Sequence, residues 1–292
     1  MSDQPGAVPA SGRPAAGHHE IEAARPRWAS GIRRPGGRPL IPAAAWLPTA
    51  GSLLVFLAVW QILSRFYPPI LLPGPAATFG ALWDLFARDN LARAFATSIQ
   101  SLLIGLGLAI PTGIVLGFLA GVSRPVERAI GPFLDALYVT PKIMLIPLFI
   151  IWFGVGTEAR IAYIFVVSYF PLVVNTFAGV RSMRDEFTET ARAFLAGPLE
   201  MFRDVYLPGS IPFIVAGIRL ALGHAIVGMI TAEMFLAIVG LGYMVVNFGN
   251  RLATAKVLAL AIFVSLFGVA VTELVKWSEH RLAPWTRRDT SS

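Results

Sequence analysis

The sequence predicts an all-α membrane protein with six transmembrane helices, and three observations carry that prediction. Of its 292 residues, 55% are hydrophobic and only 14% are charged, with a mean hydropathy of +0.66, a balance foreign to soluble globular domains. Lys and Arg are absent from 39–64 and 94–123, and Arg160 and Arg181 enclose a third charge-free run. Each run approaches or exceeds the roughly 20 apolar residues that cross a bilayer as helix. The stretch GSLLVFLAVWQIL at 51–63 lacks the apolar/polar alternation of a barrel strand. Cysteine is absent, which excludes disulfide frameworks, thiolate metal sites and cysteine nucleophiles. In a chain this apolar, the net charge of +7 reports membrane orientation rather than nucleic-acid binding.

Residues 1–44 hold Pro, Gly, Ala and Arg with almost no large apolar side chains. Such a segment buries too little surface to offset its ordering entropy, and it is predicted to be a disordered arm. The first apolar run begins only near Trp46 and exceeds a signal-peptide h-region in length, so the arm does not read as a cleaved leader. A transmembrane domain follows over 45–280, with spans at about 46–66, 95–122, 130–153, 159–180, 211–236 and 256–277, and then a tail over 281–292. Trp46 and Tyr67 bracket the first span as interfacial aromatics. One alternating set of connecting segments carries most of the arginines outside the spans, among them Arg124, Arg128, Arg181, Arg184, Arg192 and Arg203. The opposite set holds only Arg88, Arg93, Arg160, Arg251 and Lys256. By the positive-inside rule the first set, and with it both termini, is cytoplasmic.

The segment 181–210 interrupts the hydropathy most sharply and is the longest internal cytoplasmic loop. Phe187, Ala191, Phe194 and Leu195 share one helical face, and Leu199, Phe202 and Val205 recur at helical spacing after Gly197-Pro198. Glycine ends one helix and proline opens the next. The result is an amphipathic hairpin whose apolar stripe requires either a partner or its own bundle.

At this loop the chain resembles the EAA loop of ABC-importer permease subunits, whose motif reads E-A-A, three residues, G, nine residues, I-x-L-P. Glu189 and Ala191 fall in register, as do Val205 at the isoleucine and Leu207-Pro208 at the closing pair. Thr190 replaces the first alanine, and Leu195 occupies the glycine position while a glycine stands at 197, which predicts a turn about two residues later. Further stretches are similar to the nitrate/sulfonate/bicarbonate branch of that family: Glu127 to Pro132, Leu145 to Phe149 with Trp152-Phe153-Gly154, Gly217 to Leu220, and Gly240 to Tyr243. The resemblance covers roughly 95–280 and implies the type I ABC importer permease fold with cytoplasmic coupling helices, in a bacterial inner membrane. It also implies a homodimer, two ATP-binding subunits on the cytoplasmic side and an extracytoplasmic solute-binding protein. Glu189, Ala191, Leu195, Gly197, Leu207 and Pro208 would form the ATPase-coupling element, and the solute would be small and anionic, such as a sulfonate or nitrate. ATP and Mg would bind the partner subunits, because Lys142, Lys256 and Lys276 are this chain's only lysines and none follows a glycine as a P-loop requires.

Charges inside a membrane face a cavity or a partner. Asp135 and Lys142 fall in the third predicted span, seven residues apart and so on one helix face; Arg219 and Glu233 fall in the fifth. Counted at 1.5 Å per residue from the cytoplasmic ends, Asp135 and Arg219 reach similar depths and are expected to pair. Lys142 reaches mid-membrane and Glu233 the outer surface. Lys142, Arg219 and Glu233 are the candidates for the translocation path. For Lys142 two readings stand: it attracts an anionic solute, or it bonds carbonyls freed by Pro141 and Pro147. Gly113, Gly117 and Gly121 leave one helix face bare for a close neighbour. His224 reads as a packing histidine, and the apolar outer loop over 238–250 as a re-entrant gate or a docking surface. No catalytic or metal-binding constellation is present: His224 has no acid or serine at motif spacing. The functional alternative is a carrier driven by an ion gradient, with Glu233 or Asp135 binding the ion.

Overall fold

The computed structural model describes residues 47–282; the arm expected over 1–44 and most of the tail expected over 281–292 lie outside the described residues. Contacts divide the chain at Leu53, so that 47–53 go with the N-terminal unit and Leu54–Ser292 form the other. Every regular element among the described residues is helical. The order is α1 (Leu47–Phe66), α2 (Pro75–Ala87), α3 (Leu91–Val122), α4 (Arg124–Val139), a 3-10 turn at Lys142–Leu145, α5 (Ile146–Phe153) and α6 (Thr157–Ala193). Then α7 (Pro198–Glu200) passes through a π-helical stretch, Met201–Tyr206, into α8 (Leu207–Leu236), followed by α9 (Leu241–Asn250) and α10 (Thr254–Leu282).

The seam between α3 and α6 organises the molecule. Added Cβ atoms at Gly105, Gly113, Gly117 and Gly121 would meet Ile164, Leu172, Thr176 and Val180 in turn, so the two helices run parallel and in register. The bare face read at Gly113, Gly117 and Gly121 therefore packs within the bundle, where small residues let two backbones approach. At Gly117 a Cβ would stand 2.6 Å from the Thr176 Cβ and 2.8 Å from the Val173 carbonyl oxygen. Gly117→Val is expected to destabilise the seam by at least the ~1–3 kcal/mol of ordinary overpacking, read as lost accumulation in the membrane and a lower unfolding temperature. Helix α8 lies antiparallel on the other side of α6: Gly209 faces Met183, Gly217 faces Asn175 and Gly228 faces Val167.

Parallel packing of α3 and α6 has a topological consequence. The chain between Val122 and Thr157 must return to the end where α3 began, so α4 and α5 together make one crossing. That crossing is broken, its halves bent by 94°, which corrects the continuous helix expected over 130–153. The cause is Pro141, which cannot donate to the ladder and restricts the residue before it. The Ala136 carbonyl accepts both the Thr140 N–H and, at 2.8 Å, the Thr140 Oγ1, and Lys142 Nζ donates to the Tyr138 carbonyl at the break. Asp135 and Lys142 thus do not share a helix face, because the helix that would align them ends at Val139. Counting the broken pair as one, the helices long and apolar enough to span number six among the described residues, the number the sequence predicts.

Two elements escaped the sequence reading. Helix α2 was not anticipated, and the expected outer loop over 238–250 is mostly α9, whose Leu241, Gly242, Met244 and Phe248 are buried.

Candidate coupling surface and central cavity

At the arginine-rich end, α6 does not stop where its apolar span stops. It runs on to Ala193, so the first arm of the hairpin is an extension of a spanning helix rather than a separate short one. The turn falls at Leu195, whose φ is +60°, while Gly197 is extended with φ −73° and ψ 169°. This corrects the turn expected two residues later: Leu195 takes the left-handed conformation at the motif's glycine position. Gly197 instead opens the second arm, its N–H donating to the Glu200 carboxylate at 2.8 Å. A left-handed leucine is strained, so Leu195→Gly is expected to raise stability by up to about 1 kcal/mol after glycine's own entropy cost, measured by thermal unfolding.

The hairpin has two faces. Inward, Ala191 and Val205 pack with Phe118, Val180, Met201 and Tyr206, the Phe118 and Phe202 rings lie 5.5 Å apart, and Thr188 and Tyr206 share a hydroxyl hydrogen bond of 3.1 Å. Outward, Phe194, Leu195 and Leu199 are 83%, 90% and 77% exposed, an apolar tip of the kind that marks a partner site. Of the expected coupling residues, Glu189 is exposed on α6, and Leu207 and Pro208 begin α8 directly after the π-helical stretch, a rare conformation frequent at functional sites.

A buried arginine fastens this hairpin to the rest of the bundle. Arg184 on α6 donates to the Gly121 carbonyl at the end of α3 (2.7 Å) and to Glu127 at the start of α4 (2.9 Å). Glu127 also pairs with Arg181 at 3.1 Å. The sequence reads both arginines as orientation markers and as part of the hairpin's charge cluster, but their Glu127 partner is visible only in the fold.

At the opposite end, three residues before α8 stops at Leu236, Glu233 is fully buried among its neighbours. Ser98 Oγ donates to its carboxylate at 2.8 Å, the Gly242 N–H at 3.0 Å, and Arg160 Nη1 lies 3.4 Å away. Arg160, only 4% exposed, also donates to the Val239 carbonyl at 3.2 Å and to Thr157 Oγ1 at 2.9 Å. The Ser98 hydroxyl in turn accepts the Leu241 N–H at 3.0 Å. This knot joins α3, α6, α8 and α9, and it fixes the 238–241 turn in place. Gly240, with φ +133°, passes so close that a Cβ would meet the Glu233 carboxylate within 2.6 Å. The expected Asp135–Arg219 pair is not formed; Asp135 is exposed and joins no ion pair among the described residues.

Between the two ends lies a cavity of about 470 Å³ bounded by the broken span, α6 and α8. Tyr138, Lys142, Tyr163, His224 and Thr231 give it polar groups, and its lining contains no carboxylate. The Lys142 ammonium stands 5.3 and 5.4 Å from the ring centres of Tyr138 and Phe170 while bonding the Tyr138 carbonyl. Lys142 thus bonds a carbonyl beside the Pro141 break and also lines the cavity. His224, expected as a packing residue, is exposed and lines the cavity, whereas Arg219 is not part of its lining.

A bundle of spanning helices around a cavity with a few polar groups, carrying an apolar-tipped hairpin at one end, has the architecture of a multi-pass membrane permease. The family model for the binding-protein-dependent transport system inner membrane component matches residues 109–284, and the chain belongs to that family: it is the permease subunit of an ABC importer. Similar proteins include the formylaminopyrimidine transport permease ThiX of Halalkalibacterium halodurans, 31% identical over 80% of this chain and 94% of that one. The taurine transport system permease TauC of Escherichia coli is 29% identical over 80% and 88%, and the nitrate import permease NrtB of Synechococcus elongatus 26% identical over 88% and 94%. A solved structure of the MetNI methionine ABC transporter contains a chain with the same fold, with a TM-score of 0.55 at 20% identity, covering 66% of this chain and 94% of that one. Nothing in these matches supports the carrier driven by an ion gradient.

Proposed function

We propose that this permease works as a homodimer, with two ATP-hydrolysing subunits docked on its hairpins and an extracytoplasmic binding protein delivering a small anionic solute. By the positive-inside rule the arginine-rich end is read as cytoplasmic, and an even number of spans would put both termini on that side. ATP and Mg belong to the partner subunits; this chain supplies the path and the levers. The apolar tip of the hairpin sits in a groove of the ATPase, and closure of the ATPase pair drags α6 and α8, switching the cavity from one side to the other.

The observation that carries the solute class is the cavity itself, where one lysine and one histidine meet three hydroxyls and no carboxylate. An anion entering such a site exchanges its water for hydroxyl and ammonium donors. By name, one similar protein is a nitrate import permease and another a taurine transport permease; nitrate is an anion and taurine carries a sulfonate beside its ammonium. The test is ATP-dependent uptake by the reconstituted complex. Lys142→Gln is expected to depress anion uptake about tenfold or more, the loss of one charge-assisted hydrogen bond of about 1.5–3 kcal/mol, while Lys142→Arg retains most of it. Equal uptake by the glutamine variant at equal protein level would remove Lys142 from the path.

A further inference from the structure

Helix α2 is too short to span and is apolar on both sides. Its inner face is fixed: Thr78, Ala81 and Leu85 are buried, and Thr78 Oγ1 bonds the Gly74 carbonyl at 3.1 Å; the half-exposed Phe86 ring lies at the edge of the outer stripe, where it meets Phe263 of α10 edge-on at 5.7 Å. The opposite face carries Phe79, Trp83 and Phe86 at spacings of four and three, one stripe on a helix, and all three are exposed, Trp83 to 75%. A helix that turns this face to water would carry charges there. Over thirteen residues α2 has a single charged side chain, Asp84, which pairs with Arg88 just past the helix end. The next charges follow at once, Asp89 bonding Lys256 at 2.6 Å, so the polar boundary lies at the C-terminal end of α2.

The stripe also continues a surface that already faces lipid. Spans α1 and α10 flank an apolar groove of about 540 Å³, and Leu72, two residues before the Gly74 N-cap of α2, lines it together with Trp60 and Leu266. Trp60 Nε1 donates to the Pro73 carbonyl at 3.0 Å, tying the entry of α2 to α1 about one and a half turns below the end of that helix. This sets α2 beside the last turns of a span, at the level where amphipathic aromatic rings collect.

We propose that α2 is an interfacial belt: its Phe79–Trp83–Phe86 stripe inserts at the boundary between headgroups and acyl chains of the leaflet opposite the arginine-rich end. The belt fixes how deep the α1–α10 side of the bundle rides in the membrane. The partner is the bilayer surface itself, recognised by aromatic area and not by a particular headgroup.

Because the chain contains no cysteine, single-cysteine variants give unambiguous labelling. Phe79→Cys, Trp83→Cys, Phe86→Cys and, as a water-facing reference, Arg88→Cys would each carry a nitroxide in the full-length chain reconstituted in phosphatidylethanolamine/phosphatidylglycerol vesicles. Collision with oxygen, which concentrates in lipid, is then compared with collision with a water-soluble nickel chelate. The proposal expects an oxygen-to-nickel ratio several-fold higher at 79, 83 and 86 than at 88. Nickel-dominated labels at all three would overturn it by showing a face turned to water, and shielding from both reagents would overturn it in favour of a covering protein. A second readout needs no label: quenching of tryptophan fluorescence by lipids brominated high on the acyl chain should fall in Trp83→Tyr relative to the unaltered chain, and an unchanged quench would count against the belt.

Discussion

Glu233→Ala should be the most damaging single substitution in the transmembrane domain. It leaves the Arg160 guanidinium, 73 residues away in sequence and buried on α6, without its carboxylate, and it strips acceptors from Ser98 and the Gly242 N–H. Removing one partner of a buried, hydrogen-bonded pair typically costs 3–5 kcal/mol, because the surviving charge keeps its desolvation penalty. Loss of the protein from the membrane, or a sharply lowered unfolding temperature in detergent, is the expected result. Glu233→Gln keeps an acceptor for Ser98 and Gly242 and should cost less. The contrast is Lys256, whose pair with Asp89 is only partly buried; Lys256→Met should cost no more than the ~1 kcal/mol of an exposed bridge. If Glu233→Ala behaved as mildly as Lys256→Met, the knot would not be what holds α9 in place.

The second large effect falls on transport and leaves folding untouched. Phe194→Asp combined with Leu199→Asp alters two side chains that are largely exposed in this chain, so accumulation and unfolding temperature should be unchanged. Covering an apolar side chain of this size is worth about 1.5–3 kcal/mol, and each should therefore contribute tenfold or more to ATPase affinity. Uptake and co-purification of the ATPase are expected to be lost together. Retained co-purification would place the docking surface elsewhere on the hairpin, in which case the cleft between its two arms becomes the place to look.

The legible parts of the sequence were those whose cause is local. Charge-free runs marked the spans because lipid tolerates little else, and the four-residue glycine spacing marked the α3–α6 seam because only a bare face admits a second backbone so closely. The hairpin was readable from its motif spacing. What escaped reading depended on partners distant in the chain. Arg160 sat at the edge of a predicted span and passed for a loop residue; only the fold brings Glu233 and Ser98 to it. The pairing of Asp135 with Arg219 rested on matching depth alone, which does not say where a side chain faces; Asp135 lies on α4 before the break and is exposed. Proline in a membrane helix is tolerated too often for Pro141 alone to have announced a right-angle bend. Helix α2 had a local signal in the Phe79–Trp83–Phe86 spacing, but a segment too short to span and too apolar for a loop fitted neither template.

Helix α6 extends without interruption from Thr157, whose hydroxyl receives Arg160 in the outer knot, to Ala193 beside the hairpin turn. Its 37 residues make a rod about 55 Å long at 1.5 Å per residue. If the knot is the fulcrum, a tilt of about 5° displaces the hairpin end by roughly 5 Å over that length, nearly one helical turn. A stroke of that size at the hairpin reaches the cavity, lined on α6 by Tyr163, Val167 and Pro171 nearer the knot, as well under half the displacement, or roughly 1–2 Å. The gearing therefore favours force over travel at the solute, and shortening the extension past the membrane would trade away that mechanical advantage.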